Sequence, residues 1–375
     1  MATAVKIETD VLQELMEALQ DLGYTIIGPR QKAAAMVLGP IASIQELPWG
    51  WRDRQAPGAY SAAKSAPSGF FQYTCGPDTW KRFLYPPRSR LFHATMAKGA
   101  ITLAHDDQSP PRYAFLGMRA CDLKALAILD RVFLKQDHPD PHYQTVRQNL
   151  FIIAVNCLEP GDTCFCAAMG AGPRADSGFD LVLTEICTSQ KHELLVASGS
   201  PQGAALLATL PSKAASAETL AQVARGINMA TEKMARRTPL LSRAADIFAS
   251  RFNDSHWASL QQRCLACGNC TLVCPTCFCH TIEEREFLET GQAERHRVWD
   301  SCFSRNFSYM HGGSARASIA SRYRQWLCHK LSTWQPQFGT LGCVGCGRCR
   351  TWCPAGIDMV EEARALISDA ADRAA

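Results

Sequence analysis

The stretch Arg263–Glu284 reads RCLACGNCTLVCPTCFCHTIEE and contains six cysteines in 22 residues. Four of them share the spacing C-x2-C-x2-C-x3-C, followed by a proline: Cys264, Cys267, Cys270 and Cys274. A chain of 375 residues with 18 cysteines is long enough to bury a core and has no need of disulfides. The density of thiols therefore indicates metal binding or redox chemistry.

The same spacing returns in GCVGCGRCRTWCPAGID, which covers Gly342–Asp358. The cysteines of this second motif are Cys343, Cys346, Cys349 and Cys353, again followed by a proline. The repeat is typical of bacterial ferredoxins, in which three thiolates of one motif hold a [4Fe-4S] cluster and the fourth ligates the cluster of the other motif. The proline after each fourth cysteine turns the chain away, because it cannot extend a preceding helix.

The repeat predicts two [4Fe-4S] clusters with crossed ligands. The first cluster is expected to use Cys264, Cys267, Cys270 and Cys353. The second is expected to use Cys343, Cys346, Cys349 and Cys274. A pair of zinc sites is the alternative, but zinc usually completes one tetrahedron from two C-x2-C pairs, whereas this chain has two full four-thiol runs with matching prolines.

The first half of the chain predicts a different architecture. Short apolar runs (YTIIG, YAFLGM, FIIAVN and LVLTEI) alternate with helical patterns after Asp10 and from Asp122. This alternation predicts an α/β N-terminal domain over 1–197 with a largely parallel sheet, interrupted by a long surface excursion over 49–87. We expect a helical connection over 198–255 to follow. The remaining residues, 256–375, are expected to form a mainly α-helical dicluster ferredoxin-like domain with a helical insertion.

Four further cysteines follow predicted strands or lie in the loop beyond them: Cys121, Cys157, Cys164 and Cys166. Because the carboxyl ends of parallel strands meet at one edge of a sheet, these thiols are predicted to converge on a third [4Fe-4S] cluster. A flavin or nucleotide pocket is one alternative, although the Gly-rich piece MGAGP is a poor match to G-x-G-x-x-G. Buried structural cysteines are another.

Other features of the sequence narrow the class of protein. The net charge is only +4, without a concentrated basic stripe, so no nucleic-acid partner is expected. The sequence shows no leader pattern and no run of eighteen apolar residues, which predicts a cytoplasmic protein without a membrane span. No triad or paired acid–base carboxylates stand out, so no catalytic residue is predicted. Four cysteines are interpreted as small buried hydrophobic residues, the first of them beside the nearby cluster: Cys277, Cys279, Cys302 and Cys328.

Several motifs outside the ferredoxin repeat stand in a distinctive order, among them MRACDLKALAILDRVF, NCLEPGDTCFCAAMGAGP, CPTCFC and HGGSARAS. From about Tyr113 to Ala363 the chain resembles the beta subunit of soluble sulfhydrogenases (NiFe hydrogenases) and, more distantly, one of the subunits of anaerobic sulfite reductase. The resemblance implies a non-catalytic relay subunit, which passes electrons between two partner subunits. One of these partners is a flavin-containing, NAD(P)H-reactive subunit, and the other is a terminal hydrogenase or reductase subunit. An iron–sulfur redox sensor or regulatory binding protein is the alternative.

Overall fold

The computed structural model describes residues 4–74, 76–97, 99–104, 110–135, 137–189, 191–236 and 248–372. The strands among them are β1 (Val5–Ile7), β2 (Thr25–Lys32), β3 (Ala35–Pro40), β4 (Trp51–Ala56), β5 (Ala59–Lys64), β6 (Arg88–Ala97), β7 (Ala100–Ala104), β8 (Tyr113–Arg119), β9 (Phe151–Val155), β10 (Leu181–Cys187), β11 (His192–Ser198), β12 (Lys213–Ala214), β13 (His280–Phe287), β14 (Gln292–Trp299), β15 (Tyr309–Met310) and β16 (Gly313–Ser314).

The helices in the described ranges are mostly short. They are α1 (Thr9–Asp21), α2 (Lys81–Leu84), α3 (Ala120–Phe133), α4 (Pro141–Gln148), α5 (Pro201–Leu207), α6 (Ala217–Ala235), α7 (His256–Arg263), α8 (Asn269–Leu272), α9 (Ile319–Cys328), α10 (Trp334–Phe338), α11 (Arg348–Thr351) and α12 (Met359–Asp372). A π-helical turn, His329–Thr333, joins α9 to α10. None of the helices that can be described is long and apolar enough to cross a membrane.

The main sheet is mixed, and its described strands follow the order β12-β1-β11-β10-β9-β8-β2-β3. The four strands predicted from the sequence, β2, β8, β9 and β10, form its parallel centre. The flanking strands pair antiparallel, so the prediction of a largely parallel sheet is right only for the centre. The physical reason is that the short turns after β2 and β10 can join only antiparallel neighbours.

Both faces of this sheet are covered, as a parallel centre requires. All five residues of β9 are buried. Phe151 and Ile153 face the apolar stripe of α1, whereas Ile152 and Ala154 face the side of α3. The alternation follows from the two-residue period of a strand.

The segment 49–87 is only partly the surface excursion that the sequence predicts. Its β4–β5 hairpin is largely accessible, but Phe70, Trp80 and Tyr85 are buried in the two cores of the main sheet. The composition of Gly, Pro and Ser indicates a loop, yet the aromatic side chains have large apolar surfaces that are more stable when buried.

The sequence predicts a helical insertion between the two cysteine motifs, and this prediction is right only for part of it. It contains the long β13–β14 hairpin, and β14 also pairs with β6, giving the order β13-β14-β6-β7. The hairpin is rich in charged residues and mostly exposed, and the ion pairs Arg88–Glu283 (2.9 Å) and Arg90–Glu294 (2.7 Å) join it to β6. Because β6 precedes residue 197, this small sheet joins strands from both sides of the predicted domain boundary.

Candidate metal centres

The two cysteine motifs repeat in backbone shape as well as in sequence. The N–H of Ala266 donates to Cys264 Sγ at 3.4 Å, and the N–H of Gly345 donates to Cys343 Sγ at the same distance. The backbone has the left-handed conformation at corresponding positions of the two motifs: Ala266 corresponds to Gly345, and Gly268 corresponds to Gly347. Positive φ values turn the loop so that its amides face the first sulfur of each motif.

Two cavities lie over the motifs, and each is lined by four thiols of the predicted sets. The first cavity is lined by Cys264, Cys267, Cys270 and Cys353. The second cavity is lined by Cys274, Cys343, Cys346 and Cys349. The first cavity therefore receives three cysteines of the first motif together with Cys353 and Cys349 of the second, and the second cavity receives three cysteines of the second motif together with Cys274. Cys349 and Met359 border both, so the cavities adjoin.

The chemistry of these cavities suits an iron–sulfur cluster. Burial raises the pKa of Cys343 to about 11 and holds the pKa of Cys270 and Cys349 well above the usual range. Such thiols stay protonated until a metal displaces the proton. No group of three or more His, Cys, Asp or Glu side chains in the described ranges could hold a single metal ion.

Two buried lysines contact the segment that directly follows the first motif, and the sequence offered no sign of them. Lys330 is 3% exposed, lines the second cavity and donates from Nζ to Thr276 Oγ1 at 2.7 Å. Lys81 is 4% exposed and donates to the carbonyl of Cys277 at 2.8 Å, with Nζ 4.1 Å from the centre of the Trp299 ring.

The charges near these two ammonium groups are those of cysteines. Burial lowers the pKa of Lys81. Burial also opposes the charge of Lys330, but the neighbouring cysteines, of which Cys274 has the largest effect, outweigh it and raise its pKa. The largest causes that raise the pKa of either lysine are all cysteines. Because an uncompensated buried charge is costly, the two lysines favour an anionic group at this site.

Three of the four cysteines predicted in the N-terminal part come together. Cys121, in the first turn of α3, Cys164 and Cys166 are 6%, 7% and 7% exposed and share one apolar cluster with Met234 and Cys346. We call these three residues the third thiol group. Cys166 Sγ lies 3.4 Å from Met234 Sδ, and Cys164 Sγ donates to the carbonyl of Cys346 at 3.7 Å.

Cys157 lies outside that apolar cluster. It is half-buried, and the guanidinium of Arg119 donates to its Sγ at 3.6 Å. Its backbone N–H donates to the carbonyl of Pro173 at 3.2 Å, and Gly172 next to it lies against Cys166 Sγ. The structure therefore brings Cys157 to the same region without placing it in the group.

The third thiol group adjoins the second cavity. The N–H of Phe165 donates to the carbonyl of Gly345 at 2.8 Å. A Cβ on Gly345 would lie 2.7 Å from the backbone of Cys166, which explains why this position needs glycine. The buried ion pair Arg348–Asp122 (2.9 Å) also joins α11 to α3, one residue after Cys121. The N-terminal part is thus packed directly on the second motif.

The four cysteines interpreted as small hydrophobic residues differ in their surroundings. Cys328 is buried in an apolar cluster with Tyr323 and Trp326, as predicted. Cys277 is also buried, and its hydrogen bond is the main cause that lowers the pKa of Cys274. Cys279 and Cys302 are only partly buried. Their proximity could not be read from the sequence, because Cys279 precedes β13 and Cys302 follows β14, and only the pairing of these strands brings them together.

Comparison with known proteins agrees with these centres. A family model described as a 4Fe-4S dicluster domain matches residues 263–357. The chain is similar to sulfhydrogenase 2 subunit beta of Pyrococcus furiosus, with 32% identity over 286 residues, which cover 75% of this chain and 80% of that protein. No solved structure matches the chain significantly.

Proposed function

The chain belongs to the family of the sulfhydrogenase beta subunits, and we propose that it is the electron-relay subunit of a multisubunit oxidoreductase. The observation that carries the proposal is the pair of adjoining cavities, each of which is lined by all four thiols of one predicted ligand set. In this proposal the chain converts no substrate itself. It passes electrons in the cytoplasm between two partners, of which one is a flavin-containing, NAD(P)H-reactive subunit and the other is a terminal hydrogenase or reductase subunit.

The proposed ligands of the first cluster are Cys264, Cys267, Cys270 and Cys353. Those of the second cluster are Cys343, Cys346, Cys349 and Cys274. A bound [4Fe-4S] cluster supplies the ability to take up and release one electron at a time. The chain contributes apolar walls that limit water, such as Trp326 beside both cavities, and the two amide donors to sulfur from Ala266 and Gly345. Amide donors and burial are the means by which a protein sets a cluster's potential.

We also propose a third cluster at Cys121, Cys164, Cys166 and Cys157. The burial of the first three in one apolar cluster beside Cys346 supports it. Cys157 would have to turn from Arg119 toward the others to complete the set. With this site occupied, the relay would extend from the first cavity through the second into the N-terminal part of the chain.

Iron and labile-sulfide analysis of the anaerobically purified full chain tests the number of clusters. Three clusters predict about twelve iron atoms per chain and two predict about eight, since each cubane holds four. The double variant Cys121→Ser, Cys164→Ser should lose about four iron atoms, while Cys328→Ser, which changes a buried cysteine that lines neither cavity, should lose none. Iron near eight in both the wild type and the double variant would exclude the third cluster.

EPR spectroscopy tests the crossed ligands and the role. Cys274→Ser should alter the signal of the second cluster more than that of the first, and a change confined to the first cluster would contradict the assignment. The flavin-free chain should not oxidise NAD(P)H, but its clusters should become reduced when NAD(P)H and the flavin-containing partner are both present. Rapid NAD(P)H oxidation by the chain alone would contradict a pure relay.

A further inference from the structure

The base of the β13–β14 hairpin brings two cysteines together that are far apart in the sequence. The strands run antiparallel from the pair His280–Trp299, and just outside that pair the N–H of Asp300 donates to the carbonyl of Cys279 at 2.9 Å. Cys302 follows two residues later, and its side chain and backbone both hydrogen-bond to Cys279. Both cysteines are reduced and only partly buried. Two thiols in hydrogen-bond contact are close to the geometry from which a disulfide can form.

The charges around this pair favour one thiolate. The hydrogen bond from Cys302 is the largest cause that lowers the pKa of Cys279 to about 7, and Lys330 and Lys81 lower it further. The same hydrogen bond raises the pKa of Cys302. One thiolate beside one thiol is the state from which dithiols exchange electrons and protons readily.

The pair also lies next to both proposed clusters. Cys302 belongs to the same apolar cluster as Cys264 and Cys270, ligands of the first. The hydroxyl of Thr271, within the first motif, donates to Ser301 Oγ at 2.7 Å and holds the segment there. On the other side, Lys330 lines the second cavity. Electrons from either cluster therefore have a short route to the pair.

We propose that Cys279 and Cys302 form a redox-active dithiol that exchanges two electrons with the clusters of the relay; this inference rests on the proposed function. In the oxidising direction, an S–S bond forms between Cys279 Sγ and Cys302 Sγ. From the state with one thiolate and one thiol, the pair gives the proton of Cys302 to solvent and two electrons, one to each of two oxidised clusters. In the reducing direction, the pair takes up two electrons from two reduced clusters and one proton, the S–S bond breaks, and the thiolate–thiol state returns. The pair thereby links one-electron carriers to a two-electron store.

The test uses the full chain with its clusters, under anaerobic conditions. One sample is oxidised with a mediator dye and another is reduced with dithionite; each is alkylated, digested and analysed by mass spectrometry. We expect a peptide linked through Cys279 and Cys302 in the oxidised sample and two alkylated peptides in the reduced one. Reductive titration should show that the wild type takes up two electrons per chain more than Cys279→Ser or Cys302→Ser. The control Cys328→Ser should match the wild type.

Two results would overturn the proposal: both thiols alkylated at every potential, or equal electron uptake by the wild type and the two variants. Iron analysis and EPR on the same samples separate this failure from failure of the relay. Clusters that are present and reducible without the two extra electrons would refute only the dithiol. Absence of clusters would refute the relay. Alkylation of the wild type needs no variant, so a poorly folding variant does not affect that result.

Discussion

Replacing Lys330 by methionine should lower the reduction potential of the second cluster. The Lys330 ammonium is buried and lines the second cavity, and the neighbouring cysteines, first Cys274, favour its charge. A positive charge at this place stabilises the additional electron of a reduced cluster. Methionine keeps the length of the side chain but removes the charge, and Thr276 keeps its own donor bond to the carbonyl of Gly342 at 2.7 Å.

The size of the shift follows from Coulomb's law. A unit charge about 6 Å from the cluster, at an effective dielectric constant of about 20, contributes about 2.8 kcal/mol. For a one-electron couple, in which about 59 mV corresponds to a factor of ten, this energy equals about 120 mV. We therefore expect the second cluster of Lys330→Met to be harder to reduce by about 100 mV, with a smaller shift at the first cluster.

Potentiometric titration followed by EPR measures both potentials in one sample. Lys81→Met is the matched control, because Lys81 is equally buried but lines neither cavity and bonds to a backbone carbonyl. Its effect on the second cluster should be clearly smaller. A shift below about 20 mV in Lys330→Met, or a shift to higher potential, would refute the electrostatic role of Lys330.

Two further predictions concern stability. Gly345→Ala should lower the free energy of unfolding, measured with denaturant, by about 2–4 kcal/mol, because the new side chain combines a left-handed φ with a clash against the Cys166 backbone. The control Gly170→Ala has a similar φ but open space around it, so it should cost only about 1 kcal/mol. Equal costs for the two variants would contradict the packing of the third thiol group on the second motif. Burial, Lys330 and Arg316 lower the pKa of His329 from 6.5 to about 4, and its Nε2 accepts a bond from Trp334 Nε1 at 2.6 Å, so the folded state favours the neutral ring. The contribution of the neutral His329 ring to the free energy of unfolding should be fully present above pH 6.5 and should decrease as the pH drops toward 4, by about 2 kcal/mol at pH 5. If the wild type and His329→Gln have the same stability at every pH in this window, His329 is not the cause of the pH dependence.

Local spacing accounts for what the sequence predicted correctly. The two C-x2-C-x2-C-x3-C-P motifs indicate iron–sulfur binding, because ligands three residues apart can wrap around one cluster. The match to a 4Fe-4S dicluster domain confirms that interpretation, and the similarity to sulfhydrogenase 2 subunit beta confirms the family resemblance. The four central strands were also visible, since β2, β8, β9 and β10 are buried and therefore apolar.

Features that depend on distant partners were missed or misjudged. The β13–β14 hairpin has a charged sequence, and it is an extended strand pair because β6, far away in the chain, provides a partner edge. Lys81 and Lys330 look like ordinary surface lysines until the fold places them beside cysteines. Cys157 follows a strand as Cys121 does, yet it lies outside the third thiol group and accepts a hydrogen bond from Arg119.

The sequence by itself determined which thiols are available and the spacing that suits a cluster, because spacing within one loop is set by covalent geometry. Only the tertiary structure decided that the third thiol group lies against Cys346 and that Cys279 meets Cys302. These contacts join residues from distant parts of the chain. They form because burying apolar surface and satisfying backbone hydrogen bonds favour one packing of the whole chain, and no local pattern contains that information.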